Sequence, residues 1–93
     1  EAQMDDVERN HLWKILRPRA EAGDKDALNI LGSLYVDEAL CRNDGSFLEL
    51  AEKSFREAAQ RGHESASTFL ETVWPGIKSE YLSRIDAARR RKP

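Results

Sequence analysis

The chain has one cysteine, Cys41, so no internal disulfide can form. A lone thiol fits a reducing compartment, so a cytoplasmic setting is favoured over a periplasmic one, though the compartment stays open. Only five glycines and three prolines are present, too few for the many tight turns of a small all-β domain. Histidine occurs twice, at His11 and His63, with no cysteine or carboxylate cluster at metal-ligand spacing, so no metal site is expected. No glycine-rich phosphate loop occurs. No apolar run approaches the roughly 18 residues of a spanning helix, and no signal peptide is visible. Glu1-Ala2-Gln3 precede Met4, which leaves open both a start at Met4 and a removed leader. A net charge of −2 is too small to imply a nucleic-acid or acidic-membrane partner. The one basic run, Arg89-Arg90-Arg91-Lys92, reads as a solvated helix end, where cations suit the negative pole of the dipole.

Catalytic groups are equally scarce. The carboxylate pairs Asp5-Asp6 and Asp37-Glu38 are adjacent in sequence. Neighbouring helix residues point about 100° apart, so neither pair converges as an acid–base dyad would. Cys41 has no histidine placed to activate it, and His63 reads as a helix-start cap or a surface residue. No catalytic residue and no cofactor site is expected.

What is abundant is helix formers. Charged residues make up 34% and hydrophobic residues 40%, with Ala, Leu, Glu and Arg the commonest. Val7, Leu12, Ile15, Leu16 and Ala20 recur at helical spacing in a first helix over 1–22, where Pro18 predicts a kink or a shortened end. Gly23 ends it, and Asp24 is placed to cap a second helix to about Leu40. The apolar face of that helix is Ala27, Leu28, Ile30, Leu31, Leu34 and Tyr35. Gly32 inside it costs about 1 kcal/mol relative to alanine, which predicts a neighbour too close for a side chain. Residues 41–45 form a turn. Ser46 with Glu49 has capping-box spacing at the start of a third helix, whose buried stripe is Phe47, Leu50 (or Leu48), Ala51, Phe55, Ala58 and Ala59. Gly62 closes it. A fourth helix runs from Glu64 to Trp74, Pro75-Gly76 breaks the chain, and a fifth covers 77–91 through Ile77, Tyr81, Leu82, Ile85 and Ala88.

Shifted by 39 residues, the chain matches itself. Ala20, Gly23, Ala27 and Leu31 fall on Ala59, Gly62, Ala66 and Leu70, and Ile30 and Tyr35 fall on Phe69 and Trp74. Such a period with a helix pair per unit marks an α-solenoid. Ala22-Gly23-Asp24…Ala27…Leu31-Gly32…Tyr35, then Asp44, Ala51…Phe55…Ala58-Ala59…Gly62, resembles the SEL-like repeat, a relative of the tetratricopeptide repeat. Gly62-His63…Ala66…Leu70 begins a further unit, and the match covers residues 20 to 70. Three features depart from the family pattern: Glu38 and Leu40 stand where glycines are usual, Asp44 and Ala51 are three residues further apart, and Ser54 replaces a large aromatic. The fold expected is therefore a single all-α domain over 1–93, a five-helix antiparallel helix-turn-helix repeat, or short α-solenoid. It divides into an N-terminal helix (1–22), a complete repeat (24–62), the start of the next (63–74) and a C-terminal capping helix (77–91).

The resemblance implies a non-catalytic protein–protein interaction module of bacterial origin. It would be an adaptor, or a dedicated partner of another protein of the immunity or chaperone kind. The non-core row Asn29, Ser33 and Asp37 on the second helix, continued by Thr68 and Thr72 one repeat later, is the expected partner-binding surface. A plain solvated face accounts for the same residues. The alternative from another class is a structural piece, either a homodimerising module or a fragment of a longer repeat scaffold.

Overall fold

Two short turns with the same backbone geometry organise the chain. Gly23 takes φ +93° and Gly62 φ +98°, the left-handed region that a Cβ disfavours. At the first turn Gly23 N–H donates to Ala20 O and Asp24 N–H to Arg19 O; at the second, Gly62 N–H donates to Ala59 O and His63 N–H to Ala58 O. Each turn delivers an extended residue whose side chain caps the next helix. Asp24 Oδ1 accepts from Asp26 N–H at 3.0 Å and Ala27 N–H at 3.2 Å; His63 Nδ1 accepts from Ala66 N–H at 3.0 Å.

The computed structural model describes residues 6–91 and is all-α, with five helices. These are α1 (Asp6–Glu21), α2 (Lys25–Arg42), α3 (Ser46–Gln60), α4 (Glu64–Thr72) and α5 (Trp74–Arg90). The most extensive packing joins α2 to α3; α1 lies on α2, α4 on α3, and α5 closes against α4 and α2. Buried side chains form two groups. Leu16, Ala20, Ala27, Leu28, Leu31, Leu34, Ala58 and Ala66 fill the space where α1 to α4 meet. Small residues there let the helices approach closely. Leu48, Ala39, Ala51, Phe55, Trp74 and Ile85 form the second group, with Leu48 fully buried. Burying a leucine of that kind contributes about 1.5–3 kcal/mol. Three aromatics lock this end together: the Phe55 centroid lies 5.0 Å from Phe69 and 5.6 Å from Trp74.

Gly32 has the neighbour its position in mid-helix predicts. A Cβ there would stand 2.6 Å from Phe55 Cε1. Several other expectations need correction. Pro18 does not shorten α1, which continues to Glu21. Ser46 begins α3 but does not cap it; Asp44 Oδ1 accepts from both the Ser46 amide and hydroxyl, which hold its carboxyl below the usual carboxylate range. Leu48, not Leu50, is the core residue of that turn. Ile30 is 43% exposed, although it was placed on the apolar face of α2. Pro75-Gly76 does not separate the last two helices. Helix α4 stops at Thr72, and Pro75 sits in the first turn of α5, where its missing N–H is no loss. The expected N-terminal segment over residues 1–5, Asp5 of the Asp5-Asp6 pair, and Lys92 of the basic run lie outside the described residues.

Two charge networks pin the outer helices. Arg9 of α1 is buried, with Nη1 2.7 Å from Asp37 Oδ2 and Nε 2.7 Å from Glu38 Oε1; Glu38 also holds Arg42. The bond to Asp37 pushes the Arg9 guanidinium above its ordinary range. At the other end, Lys78 of α5 reaches Glu52 at 2.8 Å and Glu49 at 3.0 Å, while Trp74 Nε1 donates to Glu52 at 2.8 Å. Lys78 is raised chiefly by Glu52, and Glu52 lowered chiefly by Lys78.

Candidate partner-binding cleft

The matched turns bring the first turns of α2 and α4 together, with His63 Nε2 3.5 Å from Asp26 Oδ1. From there the two helices supply the walls of a cleft of about 220 Å³. Asn29 and Ser33 come from α2, Ser65 and Phe69 from α4, and Phe55 from α3. Spacing explains the lining. Asn29 and Ser33 are four residues apart, as are Ser65 and Phe69, so each pair lies on one helix face. A second depression shares Ser65 and Phe69 and extends along α4 from the charged Glu64 through Thr68 and Thr72 to Val73.

Four of the five residues expected at the binding surface thus line two depressions with two residues in common. Asp37 does not join them, because its carboxylate is tied to Arg9. Phe55, Ser65 and Phe69 were missing from that expectation. Ser65 stands three residues before Thr68 and Phe69 four after Ser65, so helical neighbours of the threonine row would have included both. Phe55 reaches the cleft because Gly32 leaves it room to pack against α2.

The cleft's chemistry is neutral. Hydroxyl and carboxamide groups each offer donors and acceptors, and Phe55 and Phe69 supply apolar surface. Asn29, Ser33 and Ser65 have no side-chain hydrogen-bond partner among the described residues, whereas the Thr72 hydroxyl donates to Thr68 O at 2.7 Å. The groups with displaced pKa values, Arg9, Asp44, Glu52 and Lys78, are bonded to neighbours elsewhere. No group of three potential metal ligands occurs among the described residues. No described helix is long and apolar enough to cross a membrane.

A second groove of about 270 Å³ lies between α1 and α3, lined by Trp13, Arg17, Tyr35, Leu50, Lys53 and Glu57 among others. Leu31 and Tyr35 reach it from the side of α2 turned away from Asn29 and Ser33, since two positions along a helix rotate about 200°. Its charged groups are of both signs. The fold and the cleft together define a five-helix all-α chain with a neutral, hydrogen-bonding surface. No family model, no curated protein and no solved structure matches the chain.

Proposed function

We propose that the chain is a non-catalytic protein-interaction module, a short helical repeat of the SEL-like kind, whose α2/α4 cleft receives an extended segment of another protein. One observation carries this reading: Asn29 and Ser33 on α2 and Ser65 on α4 present donors and acceptors with no side-chain partner among the described residues, beside Phe55 and Phe69. Extended peptide backbone needs alternating donors and acceptors with apolar contact between them, and this surface offers both. The recurrence of the glycine turn, the cap and the buried alanine at Gly23-Asp24-Ala27 and Gly62-His63-Ala66 supports the repeat reading. In keeping with the resemblance, the module acts as an adaptor or as a dedicated immunity or chaperone partner.

The experiment is a selection of peptides from a random display library on the intact chain. Competition with Ser33→Arg and Ser65→Arg then follows. Both variants keep the fold, since the two serines lie at the surface or near it, and both should abolish binding. Selected peptides that bind both variants as well as the parent place recognition elsewhere.

A second reading, a homodimerising structural module, draws on the apolar exposure of α1. Val7 is 77% and Ile15 44% exposed, and a second copy would cover them. Light scattering distinguishes the two: a monomer at micromolar concentration removes the dimer, and a stable dimer that Val7→Lys dissociates supports it.

A further inference from the structure

The two matched turns differ in one respect that has a consequence for acid conditions. Helix α2 is capped by Asp24, and α4 by His63. Both side chains accept a hydrogen bond from the amide three residues on, in nearly the same geometry: φ −68°, ψ 112° at Asp24 and φ −80°, ψ 97° at His63. An aspartate side chain keeps an acceptor oxygen in either protonation state. An imidazole does not. Protonated histidine carries a hydrogen on both nitrogens and has no acceptor left.

We propose that His63 is a proton-operated fastener that holds the first turn of α4 when neutral and transfers its attachment to α2 when charged. In the neutral form Nδ1 accepts from Ala66 N–H, so the ring proton sits on Nε2, which faces Asp26 Oδ1 at 3.5 Å. On protonation the bond to Ala66 is lost, because an imidazolium Nδ1–H cannot face an amide N–H. The positive pole of α4 also repels the new charge. The contact with Asp26 meanwhile becomes charge-assisted, so the ring stays with α2 while the α4 terminus loses its cap. The charged groups at this turn are few. Asp26 and Lys25 come from α2, the latter with Nζ 3.5 Å from Gly62 O. Arg61 ends α3 with its guanidinium against Gly23, and Glu64 opens α4 itself. Asp26 is the partner that the charged ring meets.

The released turn carries Ser65, which belongs to both depressions. The acid form therefore loosens one wall of the cleft while α2, capped by Asp24, stays unchanged. The His63 fastener works in the same way whatever occupies the cleft.

The test is amide hydrogen exchange on the isotopically labelled chain at pH 7 and pH 5, with the histidine rings followed in the same samples. An N-cap is worth about 1 kcal/mol, so the protection factor of Ala66 N–H should be about fivefold lower with the His63 ring protonated, while that of Ala27 N–H holds. In His63→Asn, which caps without titrating, Ala66 protection should be the same at both pH values. Constant Ala66 protection in the parent overturns the proposal, as does an equal fall in parent and His63→Asn.

Discussion

Substituting Gly32 by alanine separates the packing account from simple helix propensity, because the two predict opposite signs. In an ordinary helix interior the change stabilises by about 1 kcal/mol. Here the new Cβ would lie 2.6, 2.7 and 2.8 Å from three carbons of the Phe55 ring, where carbon atoms normally rest about 3.5–4.0 Å apart. Phe55 is 3% exposed and held against Phe69 and Trp74, so moving it aside disturbs that aromatic cluster. Overpacking of this kind costs about 1–3 kcal/mol, and overlap at three ring atoms puts Gly32 at the upper end. The net expectation is a loss of about 2 kcal/mol, or a melting temperature lower by roughly 8–16 °C for a domain of this size. Gly76→Ala is the matched control. A Cβ at Gly76 meets nothing within 4 Å, so that variant should melt at the parent temperature or a few degrees higher. Thermal melts by circular dichroism read both. Shrinking the obstacle with Phe55→Leu should reduce the penalty of Gly32→Ala in the double variant. If Gly32→Ala stabilises as Gly76→Ala does, the close approach of α2 and α3 is wrong.

Three further outcomes follow from the networks and turns. Arg9→Met should destabilise by about 3 kcal/mol, because Asp37 and Glu38 lose their partner from α1 while Glu38 keeps Arg42; urea melts at neutral pH give the value. Lys78→Met should alter the pH dependence of melting on both sides. In the parent, the lowered Glu52 contributes stability above the ordinary carboxylate range that is lost as pH falls through its depressed value. The raised Lys78 contributes stability below the ordinary lysine range that is lost as pH rises through its elevated value. Melting temperature against pH should show a shallower acid limb in the variant, and identical limbs would rule out the Glu52–Lys78 coupling. Gly62→Val should cost about 2 kcal/mol from backbone strain alone, since a Cβ there meets only Lys25 Nζ at 3.9 Å.

Where one residue type has one physical use, the sequence was readable. Glycine between two helical patterns meant a left-handed turn at 23 and 62, and aspartate after Gly23 meant a cap. A glycine inside a helix meant close approach at Gly32. Legibility failed where a residue's setting depends on a distant helix. Arg9 and Glu38 look like solvated charges in sequence, yet each buries because the other is there to neutralise it. Asp37 was assigned to the binding row for the same reason, since nothing local shows that Arg9 claims it. Leu48, three residues before Ala51 and seven before Phe55, falls on the buried stripe of α3, and Leu50, rotated about 200° from it, stays exposed. Proline at 75 reads equally as a stop or as the first turn of a new helix. Helical spacing and the 39-residue shift place Asn29, Ser33, Thr68 and Thr72 in one row, and these residues line the two depressions. The same pattern does not point to Phe55, which belongs to the core and also lines the cleft.

The central claim is that the α2/α4 cleft is the recognition surface. Titrating a library-selected peptide into the labelled chain and following the backbone and side-chain amide resonances tests it most directly. The account predicts that shifts concentrate on Asn29, Ser33, Ser65, Thr68 and Phe69, with the Asn29 carboxamide among the largest. Shifts centred instead on Trp13, Tyr35 and Leu50 in the α1/α3 groove would contradict it.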